Sequence, residues 1–529
     1  MMIGLSGQMT VKGNDASSRM IFSHAAMPYE LGDSGRQMAT MSVLFIYEMS
    51  PRADISVGGS GISRSEGNIS SGFMCLMGNS SIPRVCNMGV QENMKELYKK
   101  HKMSYSLGAM LDIKFIKENP DLIKEAARKK HISFDVSELL AVEDKRRDAL
   151  QAFEEARTEQ NKLSDEIPKA SQEERAKLIE NLRPIKEKVQ ALEEELKKVT
   201  KEWQTLMLQV PNVPDISVPE GTSDEENQTV RTWGEKPEFS FTPKDHVTLM
   251  EERDLVDFER GTKVAGFRGY FLKNDAVLLQ FALWNYFLGG VLKKGFKPMN
   301  VPSLVVKETL YGSGYLPQGE DDLYKTQDED YLAGTGEVAT MSYHSGEVLS
   351  HEQLPLKYVA FSPCFRREAG SYGKDVKGLI RVHEFFKLEQ VVLCEASHET
   401  TVQYHEEITK NAEELVQGLG LHYQVVANCG GDLGLGQVKK YDIEVWMPSQ
   451  NKFRETHSAS YFHDFQTRRL NIRYKDAEGK LRYAHSLNNT LVATPSRIIP
   501  AIIENYQEAD GRIRVPDVLK PYIGKDYLE

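Results

Sequence analysis

Residues 139 to 210 carry an apolar pattern that suits helices packed side by side. In the second half of this segment, large apolar side chains recur at alternating steps of four and three, at Leu178, Leu182, Ile185, Val189, Leu192, Leu196, Val199, Trp203, Leu206 and Val210. The first half repeats the spacing more weakly, at Leu139, Val142, Ala149, Phe153, Ala156, Leu163 and Ile167. This spacing is typical of the seam of a coiled coil.

A short turn divides the two halves of this pattern. The sequence PKASQEER offers Ser171 as a helix N-cap with Glu174 three residues later, which is the pattern of a capping box. Two helices of about thirty residues, each about 45 Å long, would then form an antiparallel hairpin. Composition alone would also suit a dimerisation or scaffold coil.

The segment before the hairpin differs from the rest of the chain. Fourteen of the nineteen methionines fall in residues 1 to 110, among Ser- and Gly-rich stretches that lack apolar periodicity. We interpret residues 1–109 as a flexible leader or as the result of a start codon assigned too early. An amphipathic helix follows, with Asn119 as its predicted cap and Pro120 as its first residue.

Prolines and an acidic loop end the coiled-coil pattern near residues 211 to 230. We therefore predict a helical arm over residues 110–215 and a second domain over residues 216–529. Apolar runs, turn signals and helical stretches alternate in the second domain, which predicts an α+β fold built on an antiparallel sheet. A long helix is expected to end near Gly295, before a strand that Pro302 closes.

Composition excludes several classes of protein. The longest apolar run is too short to cross a bilayer, and the first forty residues lack the charge and apolar order of a signal peptide. The five cysteines form no CxxC pair, which argues against a zinc cluster or a disulfide framework. A formal charge of −11 argues against general coating of nucleic acid. We expect a cytoplasmic protein that binds neither membrane nor DNA.

Residues 365 to 389 combine many charges with aromatic rings. We predict a hairpin of two strands, residues 364–368 and 379–389, whose alternate side chains share one face. Guanidinium groups suit phosphate oxygens, a Phe ring suits a purine, and the acids suit an amine or a metal. The side chains on this face would be Arg366, Glu368, Arg381, Phe385 and Glu389. A solvated hairpin with crossing ion pairs is the alternative.

Five segments carry a resemblance to one family. PCFRREAGSYGKDVKGLIRVHEFFKLE resembles motif 2 of class II aminoacyl-tRNA synthetases in its seryl-tRNA synthetase form, and GFKPMNVPSLV resembles motif 1, with Pro302 in its usual place. YLAGTGEVA is similar to the serine-binding loop of this family. YDIEVWMPSQNKFRETHSASYFHDFQTRR is similar to its metal and serine strand, and HSLNNTLVATPSRIIPAIIENYQ to motif 3. The resemblance covers residues 110–529 in the expected order. It departs from the family pattern at Tyr461 and by one extra residue between His485 and Arg497.

The resemblance implies a serine–tRNA ligase of α+β class II fold with a coiled-coil arm. Serine would attack the α-phosphate of ATP to give seryl-adenylate and pyrophosphate, and the seryl group would then pass to the 3′ end of serine tRNA. It leaves selenocysteine tRNA open as a second acceptor. It further implies a homodimer whose arm holds tRNA, for which the clusters Lys145-Arg146-Arg147 and Lys197-Lys198 are candidate contacts.

The resemblance also implies the site residues. Arg366, Arg381 and Arg497 would be catalytic, and Glu455 and Ser458 would hold Mg²⁺. Serine would be bound by Thr335, Gly336, Glu337, Arg366, Glu389, Asn488 and Thr490. ATP would be bound by Arg366, Arg367, Glu368, Arg381, Val382, Phe385, Glu455, Thr456, His457, Ser458 and Arg497, with Phe385 and Arg497 on either side of the adenine.

Two alternatives remain open at this point. One is a coiled-coil interaction protein that carries an inactive synthetase-like domain, although the intact set of charged residues speaks against it. The other is a ligase of the same fold that charges a carrier protein. Such ligases lack the long arm and usually hold a metal with Cys and His, and here His383 and His457 have no suitable Cys partner.

Overall fold

The computed structural model describes residues 112–529, except residues 371, 372, 374 and 376. The predicted leader, residues 1–109, lies outside the described residues.

Helices and strands are numbered separately along the described residues, in chain order. The helices are α1 Ile113–Glu118, α2 Pro120–Lys129, α3 Val136–Glu166, α4 Gln172–Gln209, α5 His246–Glu252, α6 Phe258–Ala265, α7 Asn274–Leu292, α8 Lys307–Ser313, α9 Gly336–Ser342, α10 His398–Gly418, α11 Phe465–Arg469, α12 Ile498–Asn505 and α13 Lys520–Ile523. The strands are β1 Gln228–Trp233, β2 Val256–Asp257, β3 Phe271–Leu272, β4 Lys297–Asn300, β5 Leu304–Val305, β6 Tyr324–Lys325, β7 Tyr331–Leu332, β8 Val348–Leu349, β9 Leu356–Phe365, β10 Glu384–Cys394, β11 Tyr423–Ala427, β12 Lys439–Met447, β13 Lys452–His463, β14 Arg473–Lys475, β15 Leu481–Tyr483, β16 His485–Thr494, β17 Ile513–Arg514 and β18 Tyr527–Leu528.

The predicted helical hairpin is confirmed as α3 packed against α4. The backbone N–H of Ser171 donates to Glu174 Oε2 at 3.1 Å, as a capping box requires. Near the base of the hairpin, the Arg146 guanidinium lies 4.8 Å from the centre of the Trp203 ring. The same guanidinium donates through Nε to the buried Glu143 at 2.8 Å. The contact with Trp203 joins the two helices, and Glu143, on the same helix as Arg146, orients the guanidinium.

The body is built on an eight-stranded sheet in the order β1-β11-β12-β13-β16-β10-β9-β4. Every neighbouring pair is antiparallel except β4 and β9, which confirms the predicted α+β class. Helices α7 and α10 pack on one face, where Gln390 Nε2 donates to Ile408 O at 3.0 Å and Asn489 Nδ2 to the same oxygen at 2.6 Å. The neighbours of these two residues, Glu389 and Asn488, therefore point to the opposite face.

The predicted bounds of the charged hairpin are wrong. Strand β9 ends at Phe365 and β10 begins only at Glu384, so Arg366, Glu368 and Arg381 lie in the long connection between the strands. Glu368 has a φ of 56°, in the left-handed region, which cannot continue a strand. Only Phe385 and Glu389 lie on one strand, where their even spacing puts both on the same face.

Helix α7 forms as predicted, although it ends at Leu292 rather than near Gly295. By length and composition alone it could cross a membrane, a property that a search for uninterrupted apolar runs does not detect. However, 44% of its most apolar window is buried inside the protein, and a core helix passes the same test. Leu279, Leu283 and Phe287 on α7 belong to the main hydrophobic core.

Candidate active site

A β-bulge at Thr456 brings two predicted metal ligands onto one face of the sheet. Glu455 pairs with Glu444 on β12, whereas Ser458 pairs with Asp442. Glu444 and Asp442 are two residues apart on a regular strand, so their side chains lie on the same face of the sheet. Paired residues on neighbouring strands lie on the same face, so Glu455 and Ser458 share it as well. Without the extra residue, their spacing of three would place them on opposite faces. The same face carries Asn488, because Asn488 pairs with Ser460.

Glu389 is the centre of a buried polar pocket. Its Oε2 accepts hydrogen bonds from Thr335 Oγ1 at 2.5 Å and from the backbone N–H of Glu337 at 2.9 Å. Its Oε1 has a longer contact of 3.5 Å with Asn488 Nδ2. A Cβ on Gly336 would lie 3.2 Å from Ser362 Cβ, a tight contact, and 3.5 Å from Glu389 Oε2, so little space is left beside the carboxylate. Thr490 is the cross-strand partner of Glu389. The structure thus brings together the residues predicted to bind serine.

A second buried carboxylate, Glu337, lies at the start of α9. Tyr315 donates to its Oε2 through the phenol OH at 3.2 Å, and Gln466 Nε2 donates to its Oε1 at 2.5 Å. Burial, and then the charge of Glu389, raise the pKa of Glu337 to about 7. Near neutral pH this side chain is therefore partly protonated, and a bound cation would favour its ionised form.

Arg366 lies beside this pocket. Its Nε donates to Gly334 O at 3.2 Å, in the loop that precedes Thr335. Its guanidinium carbon is 5.5 Å from the centre of the Phe385 ring. In this structure the guanidinium that contacts Phe385 is that of Arg366. The predicted stacking of Arg497 on the other side of an adenine therefore stays a prediction.

Arg381 belongs to a cluster of ion pairs. Its Nη1 donates to Glu368 Oε2 at 2.9 Å and its Nε to Asp375 Oδ2 at 3.2 Å. Asp375 also accepts a hydrogen bond from Arg454, and Arg268 Nη1 is 3.8 Å from Glu368 Oε2. These acids hold the guanidinium groups in fixed positions beside the pocket.

Arg497 closes the other side of the site. It has a φ of 64° at the start of α12, and its Nη1 donates to Glu455 O at 2.6 Å. Burial opposes ionisation of Glu455, but the charges of Arg497 and Lys440, followed by Arg366 and Arg381, lower its pKa. The three predicted catalytic arginines are therefore all close enough to Glu455 to act on its charge.

Some predicted ATP contacts are not brought to this face through their side chains. The His457 ring is buried and stacks on Phe287 of α7 at 6.0 Å, and Thr456 Oγ1 contacts His457 Nδ1 at 2.8 Å. The bulge turns both side chains toward the face of the sheet that packs against α7 and α10. Only the backbone of these two residues can therefore line the site. Val382 is buried. The backbone N–H of Arg367 donates to Asp322 O at 2.9 Å, and the residue is exposed.

The residues present suit Mg²⁺ in the way that nucleotide sites hold it. Glu455 offers a carboxylate with a lowered pKa and Ser458 a hydroxyl, both hard oxygen donors on one face. Among the described residues, no group of three or more His, Cys, Asp or Glu side chains is arranged to hold a metal ion alone. A metal at Glu455 and Ser458 would therefore need further ligands from phosphates or water.

Several residues that complete the site carry little signal in the sequence. Lys387 and Gln466 contact the two pocket carboxylates, and Asp375 joins Arg381 to Arg454. Lys387 resembles an ordinary solvated lysine in an alternating strand. Its spacing of two residues from both Phe385 and Glu389 is the one signal that places it on the same face.

Two family models match the chain. Residues 110–214 match the "Seryl-tRNA synthetase N-terminal domain" and residues 322–506 match the "tRNA synthetase class II core domain (G, H, P, S and T)".

Individual proteins match over nearly their whole length. A serine–tRNA ligase of Deinococcus radiodurans is 47% identical over 416 residues, which are 78% of this chain and 98% of the relative. A serine–tRNA ligase of Treponema denticola is 43% identical over 424 residues, 79% of this chain and 100% of the relative. The crystal structure of Pyrococcus horikoshii seryl-tRNA synthetase complexed with ATP superimposes with a TM-score of 0.72 at 40% identity, and the match covers 79% of this chain and 99% of that one. The chain therefore belongs to the seryl-tRNA synthetase family of class II aminoacyl-tRNA synthetases.

Proposed function

We propose that this chain activates L-serine with ATP and transfers the seryl group to the 3′ end of serine tRNA through the residues of the sheet face described above. The observation that carries this proposal is a pocket with two buried carboxylates, Glu337 and Glu389, with Arg366 on the adjoining loop and Arg497 paired with Glu455. The guanidinium groups suit a folded triphosphate, and the carboxylates suit the polar groups of a small amino acid.

Activation of serine requires position and charge more than proton transfer. The carboxylate of serine is ionised at neutral pH, so it can attack phosphorus without a protein base. Arg366 lies between the amino-acid pocket and Phe385, where it can contact both the serine carboxylate and the α-phosphate. Its hydrogen bonds would strengthen as charge develops on the phosphoryl oxygens. Arg381 would hold the γ-phosphate, and Glu368 with the backbone of Val382 would contact the adenine edge.

Glu455 and Ser458 would hold Mg²⁺ together with the phosphates. The ion would neutralise phosphate charge and keep ATP folded. Arg497 would position the Glu455 carboxylate, because Nη1 of Arg497 lies 3.7 Å from its Oε2.

The pocket of Glu337 and Glu389 would select serine by its two polar handles, the ammonium and the hydroxyl. Oε1 of Glu389 has a single described contact, the 3.5 Å one with Asn488, so it is well placed to receive a substrate group. Alanine would leave the hydroxyl-binding groups unpaired, and the larger threonine would meet the close approach of Gly336 and Thr335 to Glu389.

The helical arm, residues 110–215, would hold tRNA. In the candidate cluster Lys145-Arg146-Arg147, Arg146 already contacts Glu143 and Trp203, and Lys197 pairs with Glu194 at 3.0 Å. Lys145 and Lys198 are therefore the better candidates for contacts with phosphates. We also propose that the protein is cytoplasmic and binds neither membrane nor DNA.

A homodimer would bury the apolar surface on α7 and the segment after it. Leu278, Phe281 and Leu292 on α7 are 41–52% exposed, and Leu304 and Val306, further along the chain, are exposed as well. Large exposed apolar side chains in one region are typical of protein interfaces. We expect a dimer by light scattering, and Phe281→Glu should shift it toward monomer. A monomeric unsubstituted protein would reject this part of the proposal.

The decisive experiment is ATP–pyrophosphate exchange with serine, threonine, alanine and glycine in parallel. We expect exchange with serine alone. Arg366→Ala should lower the rate by roughly 100- to 1000-fold, because a preorganised donor to a developing anion is worth that much. Arg482→Ala is the matched control, since Arg482 pairs with Asp476 at the end of a small peripheral sheet. Equal exchange with glycine, or none with serine, would reject the proposed function.

A further inference from the structure

Lys387 is a buried lysine in the centre of strand β10. It is only 5% exposed. Its Nζ lies 2.5 Å from Thr335 Oγ1 and 3.0 Å from Glu389 Oε2, so it contacts two residues of the amino-acid pocket. Thr335 Oγ1 in turn donates to the same Oε2 at 2.5 Å. The lysine, the threonine and one carboxylate oxygen therefore form a closed triangle of polar contacts.

This triangle leaves the two oxygens of Glu389 in different surroundings. Oε2 accepts hydrogen bonds from Thr335 Oγ1 and the backbone N–H of Glu337, and it forms an ion pair with Lys387 Nζ at 3.0 Å. Oε1 has its long contact with Asn488 instead. The carboxylate is thus fixed by one oxygen and presents the other. Rotation of the carboxylate would break three contacts.

Without a bound cation, the negative and positive charges of the pocket do not balance. Glu337 and Glu389 are each 2% exposed, and Lys387 is the ammonium in direct contact with Glu389. Buried charges are tolerated when they are paired. When Glu337 is ionised, two carboxylates and one ammonium leave one negative charge, which the ammonium of an amino acid would neutralise.

We propose that Lys387 is a positioning residue of the amino-acid pocket, which fixes Thr335 and Glu389 and limits the pocket to one substrate cation. The inference rests on the proposed function and deepens it. Lys387 itself contacts the pocket residues and acts through them, by directing Oε1 of Glu389 to the substrate. The substrate class that fits is a zwitterionic amino acid with a small uncharged side chain.

Two substitutions separate the charge of Lys387 from its hydrogen bonds. Lys387→Met removes both, and Lys387→Gln keeps a donor in the same direction without the charge. Lys357→Met is the matched control: Lys357 also lies in the sheet, on β9, and pairs with Glu407 of α10 at 2.8 Å on the helix side. The KM values for serine and for ATP are measured by pyrophosphate exchange across the pH range, together with Tm.

We expect Lys387→Met to raise the serine KM by roughly 10- to 100-fold, because a hydrogen bond to a charged group is lost. The ATP KM should change by less than about threefold. The midpoint of the pH dependence of the serine KM, which Glu337 sets at about 7, should rise in both Lys387 variants. That shift is expected because Lys387 lowers the pKa of Glu337 by its charge. Lys357→Met should lower Tm without either effect.

The inference is overturned if serine and ATP KM values change by equal factors, or if the pH midpoint stays in place in Lys387→Gln. If Lys387→Met does not fold, the KM values and the pH midpoint of Lys387→Gln provide the test. A failure of the proposed function has a different signature, because the unsubstituted protein would then show no serine-dependent exchange.

Discussion

Gln466 on α11 holds the pocket carboxylate of Glu337 through a hydrogen bond of 2.5 Å from Nε2 to Oε1. The amide is itself fixed, since Ser486 Oγ donates to its Oε1 at 2.8 Å and Nε2 also donates to Ser313 O at 3.1 Å. The orientation of Glu337 therefore depends on a side chain 129 residues away in the chain.

Gln466→Met should raise the serine KM by about 10-fold or more, because Glu337 Oε1 would be buried without a donor. The ATP KM should stay within about twofold. The measurement is pyrophosphate exchange at varied serine and ATP. Gln390→Met is the matched control, as Gln390 is equally buried but donates to Ile408 O on the helix side. Similar serine effects in both variants would contradict a specific role for Gln466.

The affinity for serine should depend on pH through Glu337. Burial and the charge of Glu389 raise its pKa to about 7, and the ionised form is the one that attracts the ammonium of serine. The serine KM should therefore fall as the pH rises from about 6 to about 8. Exchange assays of the protein and of Glu337→Gln test this. A serine KM that is flat over this range would contradict it.

The same pKa has the opposite effect on stability. The folded protein holds the Glu337 proton more tightly than an unfolded chain, whose glutamate pKa is 4.5. The contribution to stability is therefore complete below pH 4.5 and lost as the pH rises through 7. Relative to Glu337→Gln, the free energy of unfolding should fall by up to about 3 kcal/mol over this range. The measurement is urea denaturation of both proteins across this pH range. If the free energies of unfolding of the two proteins changed in parallel with pH, the raised pKa of Glu337 would be contradicted.

Glu455 should set the requirement for Mg²⁺. Glu455→Gln should raise the Mg²⁺ concentration for half-maximal exchange by about 10-fold, since a carboxylate ligand is lost. Glu444→Gln is the matched control, because Glu444 is the cross-strand partner of Glu455 and its substitution removes the same charge from the same face. Titration of Mg²⁺ at fixed ATP gives the comparison. Equal shifts in both variants would indicate a general effect of charge.

Removal of the outer arm should separate activation of serine from charging of tRNA. Residues 150–199 can be replaced by a short Gly/Ser turn, which retains Arg146 over Trp203 at the base. Pyrophosphate exchange should stay within about twofold, and aminoacylation should fall by about 100-fold or more, as phosphate contacts are lost. Loss of both activities, with an unchanged Tm, would contradict the division of labour between arm and body.

Local patterns predicted much of the fold. The heptad spacing and the Ser171–Glu174 cap are local signals, and the hairpin formed where they indicated it. The connection between β9 and β10 was beyond such reasoning, because its path depends on tertiary contacts. The backbone of Leu379 donates to His246 Nε2 at 3.3 Å, from a residue 133 positions away. The alternation of side chains along a strand could not reveal that Arg366 and Arg381 lie outside the two strands.

The candidate site was predicted as a set of residues, without its internal partners. The motifs identified the arginines and the carboxylates that line the candidate site from the sheet, the connection between β9 and β10, and two helix starts. They did not identify the burial of Lys387, which depends on Thr335, 52 residues earlier in the chain. Tyr461, a departure from the family pattern, has a role away from the site: its OH donates to Asp215 Oδ2 at 2.9 Å and ties the segment after the arm to the sheet.

The bulge at Thr456 determines how this strand tolerates changes in length. Glu455 and Ser458 share a face only because one residue between them is left out of the pairing with β12. Loss of Thr456 would remove the irregularity and keep the register downstream, because Thr456 is the residue left out of the pairing; Ser458 would then lie two residues from Glu455 and share its face on a regular strand. A designer who grafts this proposed pair of ligands onto another sheet can therefore either copy the bulge with the native spacing of three residues or place the two side chains two residues apart on a regular strand.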